Sequence, residues 1–135
     1  MTTAVTERKL RPLALTVLGT VTTGLAVNLV IWLIGSAAGA SYEMTDNGVT
    51  ASVAPGGVII MSVVPATIGL TLAAALSLRW AWIIRVAQVV GPTLAIVTIA
   101  GTIATDFDTA STIALSTMHV ALAVVLYAGL ERMRR

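Results

Sequence analysis

The 135-residue chain has no cysteine, which excludes disulfides, thiol redox chemistry and cysteinyl metal sites. Charge is almost as scarce. Asp, Glu, Lys and Arg make up 10% of the residues, against about 25% in a soluble domain. With 57% hydrophobic residues and a mean hydropathy of +0.96, water is the wrong solvent for most of this surface. No basic patch interleaved with aromatics exists, so nucleic acid is excluded as a partner. No carboxylate lies inside a long apolar run either, and buried acids are what ion-coupled transporters use to carry protons or sodium.

What is present is four apolar runs, at 13–35, 56–78, 86–104 and 112–130. Each has about 19–23 residues, and at ~1.5 Å per residue that spans the hydrocarbon core of a bilayer. Backbone groups in lipid must pair within their own segment, which makes these runs helices. The fold expected is an all-α membrane protein, a four-transmembrane-helix bundle over 13–130. Residues 1–12 and 131–135 are read as its tails. Ala38-Gly39-Ala40 resembles a signal-peptidase site, but the preceding apolar run is longer than the ~7–15 residues of a signal peptide. The first run is therefore read as a retained span.

Lys and Arg are also missing from two of the connections. Arg8, Lys9 and Arg11 precede the first run, Arg79 and Arg85 flank the turn between the second and third, and Arg132, Arg134 and Arg135 follow the fourth. The other two connections hold only Glu43, Asp46, Asp106 and Asp108. Basic residues in short loops resist translocation, so a plasma-membrane protein with both termini cytoplasmic is expected. Trp80 and Trp82 then fall at the cytoplasmic interface and Trp32 near the outer one, positions that suit an aromatic belt.

Between the first two spans, Asn47-Gly48 is a hairpin turn signal, because both positions tolerate positive φ. Folding about it pairs Asp46 with Val49, Met44 with Ala51 and Tyr42 with Val53. Tyr42, Met44, Ala51 and Val53 then share one face, while Glu43, Thr45, Thr50 and Ser52 share the other. A short outer β-hairpin lying on the helix ends, apolar face inward, is expected.

Small and weakly polar residues recur at helical spacing in every span. They are Thr16, Thr20, Gly24 and Asn28 in the first, and Ser62, Ala66, Gly69, Ala73 and Ser77 in the second. Gln88, Gly91, Ala95, Thr98 and Thr102 mark the third; Thr112, Ser116, His119, Ala123 and Tyr127 mark the fourth. Lipid provides no hydrophobic drive for helix association, so such stripes are read as seams of close packing, with a solvated pathway as the alternative.

His119 is the only ionisable side chain deep in a span, and Asn28 and Gln88 are the only amides there. Asn28, Pro65 and His119 fall at one level, roughly 10–14 Å below the outer surface. Pro65 frees the carbonyl of Met61. An intramembrane polar cluster is therefore expected, with Asn28 and His119 bonded to each other, through water, or to freed backbone. No Cys, Asp or Glu stands at metal-ligand spacing from His119, and Ser116 has no acid-oriented imidazole beside it. Neither catalysis nor a metal or cofactor is expected. Asp106 and Asp108 are read as a solvated acidic turn rather than a cation site.

With the spans placed, the chain resembles an actinobacterial family of four-span membrane proteins, domain of unknown function 6069. The resemblance is carried by Asn28 with Trp32, Val63-Val64-Pro65-Ala66, Gly91-Pro92, Met118-His119 and the Gly129-Leu130 exit. It implies a four-helix membrane protein with no assigned activity. The expected role is a scaffold or accessory subunit, whose partners are membrane lipids and a membrane protein or further copies of itself. The alternative is a small oligomeric transporter or channel with His119 and Asn28 near its pathway.

Overall fold

A computed structural model describes residues 2–46 and 48–135. Four helices and one hairpin follow in chain order: α1 (Thr2–Ala37), β1 (Glu43–Asp46), β2 (Val49–Ser52), α2 (Pro55–Ser77), α3 (Ile83–Ala104) and α4 (Thr109–Arg134). Residues 2–12 thus continue α1, and 131–134 continue α4. Their apolar stretches run 22 to 28 residues, and even 22 residues make about 33 Å of helix, enough for a hydrocarbon core of ~30 Å.

Local sequence explains the ends. Pro55 opens α2, where its missing N–H costs nothing and its fixed φ already suits a helix. Asp108 caps α4 by accepting the Ser111 amide at 2.9 Å, and Arg132 and Arg134 face the negative end of the same helix. Pro65 and Pro92 lie within α2 and α3, which continue through both.

α4 lies between α1 and α3, and α2 packs along α1. Two buried clusters hold the bundle. At the hairpin end, Ala40, Tyr42, Val58, Ala114, Leu115 and Met118 pack together, and α3 contributes nothing to them. At the tail end, Leu70 and Ala73 of α2 meet Ile84 of α3 and Leu130 of α4. α2 and α3 therefore touch near their connecting turn and part toward the hairpin. Away from their mutual contacts the helices are bare: Met61 is 74% exposed, Val89 67% and Val124 65%. In water such a surface would aggregate; against lipid tails it is the expected exterior.

The hairpin has the anticipated register, Asp46 opposite Val49 and Met44 opposite Ala51. Gly48 takes φ +79°, which its missing Cβ allows; Asn47 lies outside the described residues. The Val53 amide donates to the Tyr42 carbonyl at 2.8 Å. Glu43 and Thr45 face solvent, and Tyr42 is buried. Ala51 corrects the expectation: it is exposed, as is all of β2. Burial on this face falls off from Tyr42 through half-buried Val53 and Met44 to exposed Ala51, so only the base of the hairpin is sealed.

That base is held by Tyr42 and Trp32. Their rings stack at 5.4 Å, the Tyr42 hydroxyl donates to the Trp32 carbonyl at 2.9 Å, and the Trp32 indole N–H donates to the Val53 carbonyl at 3.0 Å. Trp32 is thus a packing residue of the hairpin, beyond the interfacial role its position implied. Gly35 makes room, since a Cβ there would collide with the Tyr42 hydroxyl and lie 2.8 Å from the Ala114 Cβ.

Candidate functional site

Two polar groups of different kind occupy the two levels of the bundle. The first is at the hairpin end. Asp108 accepts from the Ser41 amide at 3.1 Å, the Ser41 hydroxyl at 2.6 Å and the Ser111 hydroxyl, while Ser111 in turn accepts the Tyr42 amide at 2.8 Å. Asp106 and Asp108 are both exposed, as expected of a solvated acidic turn, and Asp108 in addition ties the hairpin's first arm to α4. These bonds to the carboxylate, those of the Ser111 and Ser41 hydroxyls foremost, hold its pKa far below the usual carboxylate range.

A carboxyl depressed on folding stabilises the fold above its unfolded pKa of ~3.9, and that contribution disappears as pH falls toward the folded value. Exchange protection of the Tyr42 and Val53 amides should stay level from neutral pH to about pH 4 and decline only in stronger acid. Ser111→Ala acts at any pH. It strands the buried Tyr42 amide, and a loss of about 1–3 kcal/mol in denaturant titration is expected. Among the described residues no three acidic or histidine side chains gather into a metal site.

The second group lies halfway down. Asn28 of α1 is 4% exposed, and its Nδ2 donates to the Ser62 hydroxyl of α2 at 2.9 Å. Its Oδ1 has no partner. His119 of α4 is half-buried, with Nδ1 2.8 Å from the carbonyl of Leu115. A carbonyl only accepts, so in the neutral ring Nδ1 carries the proton and Nε2 the lone pair. The direct Asn28–His119 bond is therefore not the one made. The imidazole turns back one turn along its own helix, and the amide reaches Ser62 on α2 instead. Ser62 was legible as a member of the small-residue seam, though not as the partner of Asn28. Gln88 is elsewhere: it donates to Glu131 at 3.0 Å and joins α3 to α4 near the tails.

Asn28, Pro65 and His119 do share one feature, a cavity of about 490 Å³ where α2 and α3 part. It extends from Val53 and Phe107 at the hairpin end to Leu126 and Leu130 at the tail end. Thr98 and Thr102 of α3 also line it, but their hydroxyls donate to the carbonyls of Ala95 and Thr98. No Asp, Glu, Lys or Arg contributes to the wall. Two glycines of the expected seams, Gly69 and Gly91, line the cavity and have nothing within 4 Å of where a Cβ would stand. The seam between α2 and α3 is thus open where those of α1 with α2 and with α4 are closed.

Four apolar helices, bare outside and opened along one side by a cavity, define a small multi-pass membrane protein. The chain belongs to a family of unknown function, DUF6069, whose model matches residues 8–135. No curated protein and no solved structure matches it.

Proposed function

We propose that the chain is a scaffold or accessory protein of the plasma membrane, with both termini cytoplasmic, and that it works by binding rather than by catalysis. The observation that carries this reading is the apolar cavity between α2 and α3, lined in part by Asn28, whose amide oxygen is buried without a partner. A site of this size falls within the ~300–1,000 Å³ usual for ligand pockets. The side chains in the wall form no nucleophile, base and orienter set. The orientation rests on the basic residues: Arg79, Arg85, Arg132, Arg134 and Arg135 stand at the tail end, opposite the acidic hairpin end.

A second reading, an oligomeric transporter or channel, is favoured by the length of the cavity and its passage beside His119. The cysteine-free chain permits one test of both readings. Single cysteines replacing Thr50 and Asp106 should react with a membrane-impermeant maleimide on intact cells, and those replacing Trp80 and Arg132 only after lysis. External reaction at Trp80→Cys would overturn the orientation. His119→Cys should resist the reagent from both sides if the cavity opens to lipid, whereas ready labelling would establish a water path and the transporter reading.

A further inference from the structure

The Asn28–Ser62 pair leaves hydrogen-bonding capacity open beside the cavity. The Ser62 O–H and the second Asn28 N–H have no acceptor among the described residues, and the remaining open positions are acceptors. Neither Asn28 Oδ1 nor His119 Nε2 has a partner among the described residues. Both are acceptors. The hydroxyl protons of Thr98 and Thr102 are committed to backbone carbonyls, so these side chains also offer lone pairs. A buried acceptor without a partner is costly, and an occupant that brings a donor relieves that cost.

From the unpartnered Asn28 amide oxygen we infer that the cleft binds a neutral lipophile carrying a hydroxyl, whose O–H donates to Asn28 Oδ1 with His119 Nε2 as the second acceptor, and whose oxygen accepts from the Ser62 O–H. The assignment rests on the cleft being a binding site, and names what it takes. Three observations narrow the class. The wall is otherwise apolar and about 490 Å³ in volume, so most of the molecule is hydrocarbon. Asn28 lies nine residues before the end of α1 and His119 ten after the start of α4, roughly 14 and 15 Å along their helices. The donor is thus met at mid-depth, away from any lipid headgroup. No counter-charge lines the site, so an ammonium or phosphate there would remain unpaired in a medium that penalises charge heavily.

Entry is lateral. Met61 and Leu94 line the cavity and are also 74% and 61% exposed on the outer surface. A molecule dissolved in the bilayer reaches the site between α2 and α3 without crossing water. Gly69 stands in this doorway with open space before it, so a larger side chain fits there without colliding with the fold.

The test uses farnesol and farnesyl methyl ether, which share a hydrocarbon body while only the alcohol donates a hydrogen bond. Both are titrated against the full chain in lipid nanodiscs, reading affinity by saturation-transfer NMR and Tm in parallel. The alcohol should bind about tenfold more tightly, the scale of one buried hydrogen bond. Asn28→Leu should reduce that preference to less than about twofold, and Gly69→Leu should weaken both probes by about tenfold or more while keeping the wild-type Tm. Should Asn28→Leu fail to fold, Gly69→Leu and the two probes still decide. Equal binding of alcohol and ether to the wild type overturns the hydroxyl assignment and leaves a non-selective apolar cleft. No binding of either probe overturns the binding reading itself.

Discussion

Replacing Tyr42 by alanine should cost about 3–5 kcal/mol, the range for deleting a fully buried aromatic ring. Tyr42 is 2% exposed, lies in the hairpin-end cluster and stacks on Trp32. Its backbone is used as fully as its ring: the amide donates to Ser111 and the carbonyl accepts from Val53. These contacts hold the residue at φ +56°, a left-handed conformation unusual outside glycine; for an L side chain it costs about 1–2 kcal/mol. The strain predicts an order among variants. Tyr42→Phe loses only the bond to the Trp32 carbonyl, about 1 kcal/mol. Tyr42→Gly loses the ring but relieves the backbone, so it should be less damaging than Tyr42→Ala by about 1 kcal/mol. Reversible unfolding in mixed micelles, with near-UV circular dichroism to follow the Trp32 environment, ranks them. Equal stability of the alanine and phenylalanine variants would show that the stacked ring is not what closes this end.

The second large effect is expected at the other end of α4. Gly129 faces Thr20 of α1 so closely that a Cβ would collide with the threonine Oγ1 and lie 2.5 Å from its Cγ2 and 2.9 Å from its Cβ. Thr20 cannot turn away freely, because its hydroxyl donates to the Thr16 carbonyl at 2.7 Å. Gly129→Ala should therefore push α1 from α4, at about 1–3 kcal/mol. Thr20→Ala combined with it removes the two nearest atoms but leaves the third, so rescue is partial. A double-mutant cycle measures the coupling, which for contacting residues is about 0.5–3 kcal/mol. Additivity of the two substitutions would mean that the helices do not approach as closely at this crossing.

These sites differ in how visible they were. The helices follow from run length and the need to pair every backbone group in lipid, so 13–35 and 112–130 could be drawn before any contact was known. The hairpin register follows as well, because Asn47-Gly48 and the matched alternation of its two arms admit one pairing. Gly129-Leu130 was visible as a short motif, but its partner Thr20 lies on another helix, and no periodicity specifies which faces meet. Asp108 shows the same gap. An exposed carboxylate in a short connection gives no sign of its partner until the loop before β1 comes within 2.6 Å of it.

The polar level is the clearest case. That Asn28, Pro65 and His119 share a depth is arithmetic along helices of ~1.5 Å per residue. Which of them bond is a matter of rotamers and interhelical distances, and these gave Asn28 to Ser62 and His119 to its own Leu115 carbonyl. Stripes of small residues allow close packing on every helix without obliging it. Gly24, Gly35 and Gly129 lie against a neighbouring side chain, whereas Gly69 and Gly91 face open space. One-dimensional pattern therefore determines the class of protein, its spans and the levels of its polar groups, because each depends on distance along a helix. The packing of α4 between α1 and α3 decides that α2 and α3 part, and with them the cavity opens.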